Sequence, residues 1–207
     1  MFRNTPTGEP PPGPLPPRFL VPLALLFEGG LALLAWLLGW ALNGTPSVGL
    51  RWDAADALFG LAATLPMLAG LGASIRWPLG PLAQIKEVSD DFIRPLFAAC
   101  SVADLALISL VAGVGEELLL RGFLQALIQE HAGWVAGWFA ASVVFGLLHF
   151  ITPAYGAYAG LMGLYLGGVW LGSGNLLVAV IAHALYDFLA LVYVVRRPPR
   201  LQAGGPW

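Results

Sequence analysis

Charge is what this sequence has least of. Aspartate, glutamate, lysine and arginine make up 11% of its 207 residues, against about 25% in a soluble domain. That is too little to coat a water-facing surface, which excludes an ordinary soluble globule. The formal net charge of −2 leaves no basic footprint, so nucleic acid is not expected as a partner. A single cysteine, Cys100, excludes an internal disulfide and a cysteine-based metal cluster; it reads as a small apolar helix residue. Alternation of polar and apolar residues is also missing. The apolar runs are continuous, which argues against a transmembrane barrel.

What is present in quantity is hydrocarbon: 58% of residues are hydrophobic and the mean hydropathy is +0.77. Several runs reach the roughly 20 residues that cross a bilayer. The expected fold is therefore all-α, a polytopic membrane bundle of about six transmembrane helices with the bilayer itself as a partner. Residues 1–17 are rich in proline and read as a flexible tail rather than a cleaved signal peptide. Residues 18–195 form the membrane domain, and 196–207 a short basic tail. Spans are expected near Phe19–Leu42 (closed by the turn Asn43 to Pro46), Ala54–Ile75 with a kink at Pro66, Leu96–Gln129, Gly133–Phe150, Ala154–Leu171 and Asn175–Val195. Arg76 to Pro95 is the most polar stretch and reads as a loop with a short surface helix. The third span is too long to lie straight in hydrocarbon, and Gly113 and Gly115 are its expected weak points. Two glycine pairs at four-residue spacing, Gly156/Gly160 and Gly163/Gly167, read as close helix packing.

With six spans, both termini share a side. Arg3, Arg18, Arg76, Lys86, Arg94, Arg196, Arg197 and Arg200 then fall on one face and only Arg51 on the other, Arg121 being intramembrane. Basic residues favour the cytoplasmic side, so both termini are expected there, in a multi-pass protein of the cell's inner membrane.

The polar residues inside apolar runs carry the chemistry. Glu116, Glu117 and Arg121 interrupt the run Leu105–Ile128; His149 stands four residues after Phe145, and Asp187 four after His183. Residues at that spacing share a helix face. Glu117 and Arg121, carboxylate first, can neutralise one another, while Glu116 points elsewhere. Each has a plain reading: a lone histidine as a packing residue, the ion pair as structure. Glu130 and His131 are explained by a solvated turn, and Asn175 by capping the last helix. Ionisable groups at membrane depth cost several kcal/mol, and several of them on three helices are the right set for activating water. One group takes its proton and donors steady the oxyanion. Two histidines and a glutamate also suit zinc with an open position.

The ordered set Glu116-Glu117-x-x-x-Arg121, Phe145-x-x-x-His149 and His183-x-x-x-Asp187 resembles the CPBP intramembrane proteases. These are the type II CAAX prenyl endopeptidases and their bacterial Abi-like immunity relatives. The likeness covers the motif-bearing core, residues 98–191, with a Gly163–Asn175 lead-in of the same kind. It implies an endopeptidase cutting a membrane-associated or prenylated-type peptide or protein substrate. Glu116 and His149 would activate the water, His183 and Asp187 would stabilise the oxyanion, and Glu117 and Arg121 would organise the site. The cofactor stays open: none, or one divalent ion (zinc) on Glu116, His149 and His183. Asp187 stands where the prenyl endopeptidases usually have asparagine, and this departure counts against its oxyanion role, because an ionised carboxylate repels an oxyanion. Two non-proteolytic readings remain, a membrane binding, immunity or scaffold protein with the same fold, and a proton- or cation-coupled transporter. The absence of a repeated half argues against the transporter. Substrate identity and oligomeric state are not legible.

Overall fold

A computed structural model describes residues 16–42 and 49–197. Most of the proline-rich tail, the turn Asn43 to Pro46, Arg3, Arg200 and the rest of 198–207 lie outside the described residues. Among those described, all regular structure is helical. Seven helices follow one another: α1 (Pro17–Ala41), α2 (Ala54–Arg76), α3 (Pro81–Phe97), α4 (Val102–Ala132), α5 (Trp134–Leu148), α6 (Pro153–Ser173) and α7 (Leu176–Arg196).

Local chemistry sets these ends. Proline opens α1, α3 and α6, where its missing N–H is no loss because the first turn has no acceptor for it. Asp53, Thr152 and Asn175 cap α2, α6 and α7 by accepting backbone N–H bonds from the first turn. Gly174 ends α6 at φ +63°, a left-handed conformation glycine adopts without a Cβ penalty.

The third predicted span differs most from expectation. It does not run from Leu96; the chain bends by 114° between α3 and α4. Ser101 Oγ accepts the Asp104 N–H at 3.1 Å while Asp104 returns a bond to the Ser101 N–H at 2.8 Å. This reciprocal box starts a new helix at Val102. Nor do Gly113 and Gly115 break α4. They are contact points: an added Cβ would lie 2.7 Å from Ala184 Cβ at Gly113 and 2.2 Å from the Glu28 carbonyl oxygen at Gly115. The irregularity comes just after the acidic pair, where Leu118–Gln125 widens into a π-helical stretch and the Ala126 N–H reaches back five residues to Arg121. Such widening recurs at functional sites. Pro66 lies within α2, which runs on to Arg76.

Among the described residues three helices, α1, α2 and α7, are long and apolar enough to cross a membrane, and the number is four if the bent pair α3–α4 counts as one broken span. That is loosely consistent with about six. The helix α5 has 15 residues, about 22 Å at the ordinary rise, short of the ~30 Å hydrocarbon layer. The six glycines of α6 dilute its hydropathy. They serve packing, as the spacing predicts. Gly156, Gly160 and Gly163 meet Gly146 and Ser142 of α5 backbone to backbone, and Gly167 meets Trp138.

Basic residues gather at one end. Arg94 Nε donates to the Val194 carbonyl at 2.9 Å, Arg196 to the Cys100 carbonyl at 2.6 Å, and Asp90 joins Lys86 (2.5 Å) and Arg197. Arg51 lies at the opposite end of α7, its backbone N–H and carbonyl both bonded by the Asn175 side chain.

The Asp90 cluster fastens α3 to the end of α7. Burial alone would push the Asp90 carboxyl up, but the Lys86 hydrogen bond and the Arg197 and Lys86 charges outweigh it and hold it below its ordinary 3.8. A depressed carboxylate contributes stability above its unfolded pKa and loses it as pH falls through the folded value. Asp90→Asn is therefore expected to lower the melting temperature by about 2 °C at neutral pH. The two melting curves should converge on acidification below about pH 4. A gap that stays constant from neutral pH to pH 3, by thermal melts in detergent, would dismiss the role.

Candidate active site

Three helices bring the predicted residues together. The middle of α4 carries Glu116, Glu117 and Arg121; His149 caps the end of α5; His183 and Asp187 lie on α7. Glu117 and Arg121 are fully buried. Arg121 Nη1 donates to Glu117 Oε1 at 2.7 Å and Nη2 to the Gly163 carbonyl of α6 at 3.1 Å. The same Glu117 Oε1 accepts from His183 Nδ1 at 2.7 Å. One carboxylate oxygen thus ties α4 to α7, and Arg121 ties both to α6. Charge-assisted bonds of this length are the strong kind, and they fix His183 with Nδ1 protonated.

Phe145 sits among them. Its ring stacks on His149 at 4.5 Å, lies tilted against His183 at 5.6 Å, and has the Arg121 guanidinium over it at 4.6 Å. A cation over an aromatic face is favourable, so this phenylalanine holds both the arginine and the two imidazoles in place. His149 Nδ1 bonds the Phe145 carbonyl at 2.9 Å. A carbonyl only accepts, so Nδ1 carries a proton, and in the neutral imidazole Nε2 presents a lone pair. That Nε2 is 3.8 Å from Glu116 Oε2, beyond a direct hydrogen bond and suited to sharing one water. Short α5 ends beside the middle of α4, which brings His149 level with Glu116.

Glu116, His149 and Asp187 line a cavity of about 390 Å³, within the usual range of small-molecule sites. Glu117, Arg121 and His183 are not on its wall; they stand behind it. Both nitrogens of His183 are occupied, Nδ1 by Glu117 and Nε2 by Asp187 Oδ2 at 3.4 Å. The set Glu116, His149 and His183 therefore does not fit zinc. Among the described residues no group of three or more His, Cys, Asp or Glu side chains gathers closely enough to hold one ion.

The sequence reading missed four residues of this wall: Glu28 of α1 and Tyr155, Tyr158 and Tyr186. The hydroxyls of Tyr158 and Tyr186 are 3.4 Å apart. A signal for Glu28 was available, since it is the only ionisable residue between Phe19 and Leu42. Nothing local marked the tyrosines, which look like ordinary residues of a membrane helix.

Residues 98–189 match the family model described as Rce1-like, type II CAAX prenyl endopeptidase Rce1-like. Its limits enclose all six motif residues and leave out α1, α2 and α3. No curated protein and no solved structure gives a significant match.

Proposed function

We propose, from the premise that residues 98–189 are a domain of the Rce1-like membrane protease family, that this chain is an intramembrane endopeptidase acting on a membrane-associated peptide. The observation that carries the reading is the facing of Glu116 Oε2 and His149 Nε2 across 3.8 Å on a cavity wall. A water held between them loses a proton to one of the two as it attacks the scissile carbonyl, and that proton passes to the leaving amine. Tyr155 and Tyr186 offer hydroxyl donors to the developing oxyanion. Glu117, Arg121 and His183 act as positioning residues. His183 fixes Asp187, and Asp187 serves the oxyanion only while it carries a proton. The clustering of Arg94, Arg196 and Arg197 at one end supports both termini facing the cytoplasm, and with it placement in the inner membrane.

A second reading, a non-catalytic membrane binding or scaffold protein, is favoured by one observation. The His183 imidazole is withdrawn from the cavity, and an acceptor rather than a donor stands at residue 187.

Purified full-length protein in lipid nanodiscs, given a library of membrane-tethered peptides, separates the two. The expected result is hydrolysis with one solvent oxygen in each new carboxyl terminus. The rate should be unchanged by chelators and lowered about 100-fold or more by His149→Ala. A wild type that binds peptides and cuts none establishes the second reading.

A further inference from the structure

The cavity has a charge imbalance that the hydrolytic chemistry does not use. Glu28, Glu116 and Asp187 line it, with His149 as the sole basic side chain and neither lysine nor arginine on the wall. Arg121 does not offset the imbalance, being committed to Glu117 and fully buried behind the wall. Two carboxylate oxygens, Glu28 Oε2 and Glu116 Oε2, are buried without a hydrogen-bond partner, and the Glu116 residue is only 7% exposed. Buried carboxylate oxygens left unpaired are costly, and a cationic group entering the cavity would satisfy them.

Glu28 arrives from outside the matched residues 98–189 and is built into place. The α1 backbone at Glu28 rests on Gly115, where any side chain would strike its carbonyl oxygen at 2.2 Å. Apart from Ser89 and the three tyrosines, the remaining wall is apolar. The helix α3 contributes Ile85, Phe92, Ile93 and Phe97, and α7 contributes Leu191 and Val194. Apolar walls with carboxylates among them match a long aliphatic stem carrying a cation, the form of a lysine or arginine side chain.

We infer that Glu28 is a specificity residue that receives a lysine or arginine side chain of the substrate, next to the bond placed between Glu116 and His149. The inference rests on the hydrolase reading for the location of the bond, but not for the binding of the cation.

The test uses full-length protein in nanodiscs and peptides differing only in the residue beside the scissile bond: lysine, arginine, norleucine or glutamate. Wild type is expected to show kcat/KM at least 10-fold higher for lysine and arginine than for norleucine, with glutamate lowest. Glu28→Gln, which keeps the shape, should bring lysine and norleucine within 2-fold. Glu28→Lys should place glutamate above lysine. A flat preference in wild type, or one that survives Glu28→Gln, overturns the inference while leaving the hydrolase intact. Binding of the same peptides to Glu116→Gln, read by fluorescence anisotropy, needs no turnover. If wild type cuts nothing, a lysine preference in binding that Glu28→Gln abolishes keeps this inference and removes the hydrolase. Loss of that binding preference as well removes both.

Discussion

Replacing Glu116 by glutamine is expected to lower kcat/KM for a cleaved peptide by about 10²–10⁴-fold, the ordinary worth of a positioned base, and to leave the melting temperature unchanged. The two expectations have separate causes. Glutamine fills the same space but cannot take a proton from water, so the barrier rises by about 3–5 kcal/mol at 1.4 kcal/mol per decade. Stability does not follow, because Glu116 Oε2 has no hydrogen-bond partner to lose. Its capacity to take a proton, not a structural bond, is what the substitution removes. Initial rates with one defined peptide, beside a thermal melt of each protein, decide the matter. Activity within 3-fold of wild type would remove Glu116 as the base.

Replacing Arg121 by leucine is expected to do the opposite kind of damage, unfolding the bundle before it affects chemistry. Arg121 and Glu117 have no exposed surface. Losing one partner strands a buried charge, which costs about 3–5 kcal/mol, or on the order of 10 °C in melting temperature for a chain of this size. Two further contacts go with it, the bond to the Gly163 carbonyl and the stack on Phe145. The paired change Glu117→Leu with Arg121→Leu should recover much of the stability, since a well-packed apolar pair can replace a buried ion pair. It should not recover activity, because His183 then loses the acceptor that fixes its ring. A melting temperature within 2 °C of wild type for Arg121→Leu alone would show that the pair carries no structural burden.

Much of this was legible in the primary structure because the relevant signals are local. Helix class follows from continuous apolar runs, and ends follow from caps and breakers within a few residues. Asn175 was expected to cap the last helix and does so, although its bonds to Arg51 and Asp56 come from residues about 120 positions away and gave no local sign. The pairs Glu117/Arg121 and His183/Asp187 were expected on shared faces, and their side chains meet as i, i+4 neighbours. The bend before Val102 could have been read from Ser101-x-x-Asp104, a capping box one turn inside the supposed span. The roles of Gly113 and Gly115 could not. A glycine inside a helix is a weak point or a contact point, and only the partner helix decides which.

By itself the sequence determined an all-helical membrane protein, the faces its charged residues share, and the match of residues 98–189 to the Rce1-like family model. These depend on spacings within single helices. Tertiary structure alone decided that Glu117 bridges Arg121 to His183 and that His183 lies behind the cavity while His149 lines it. It alone brought Glu28 over Gly115 into a wall nearly 90 residues further along the chain. Those relations arise where separate helices pack, and packing distance between helices leaves no periodicity in any one of them.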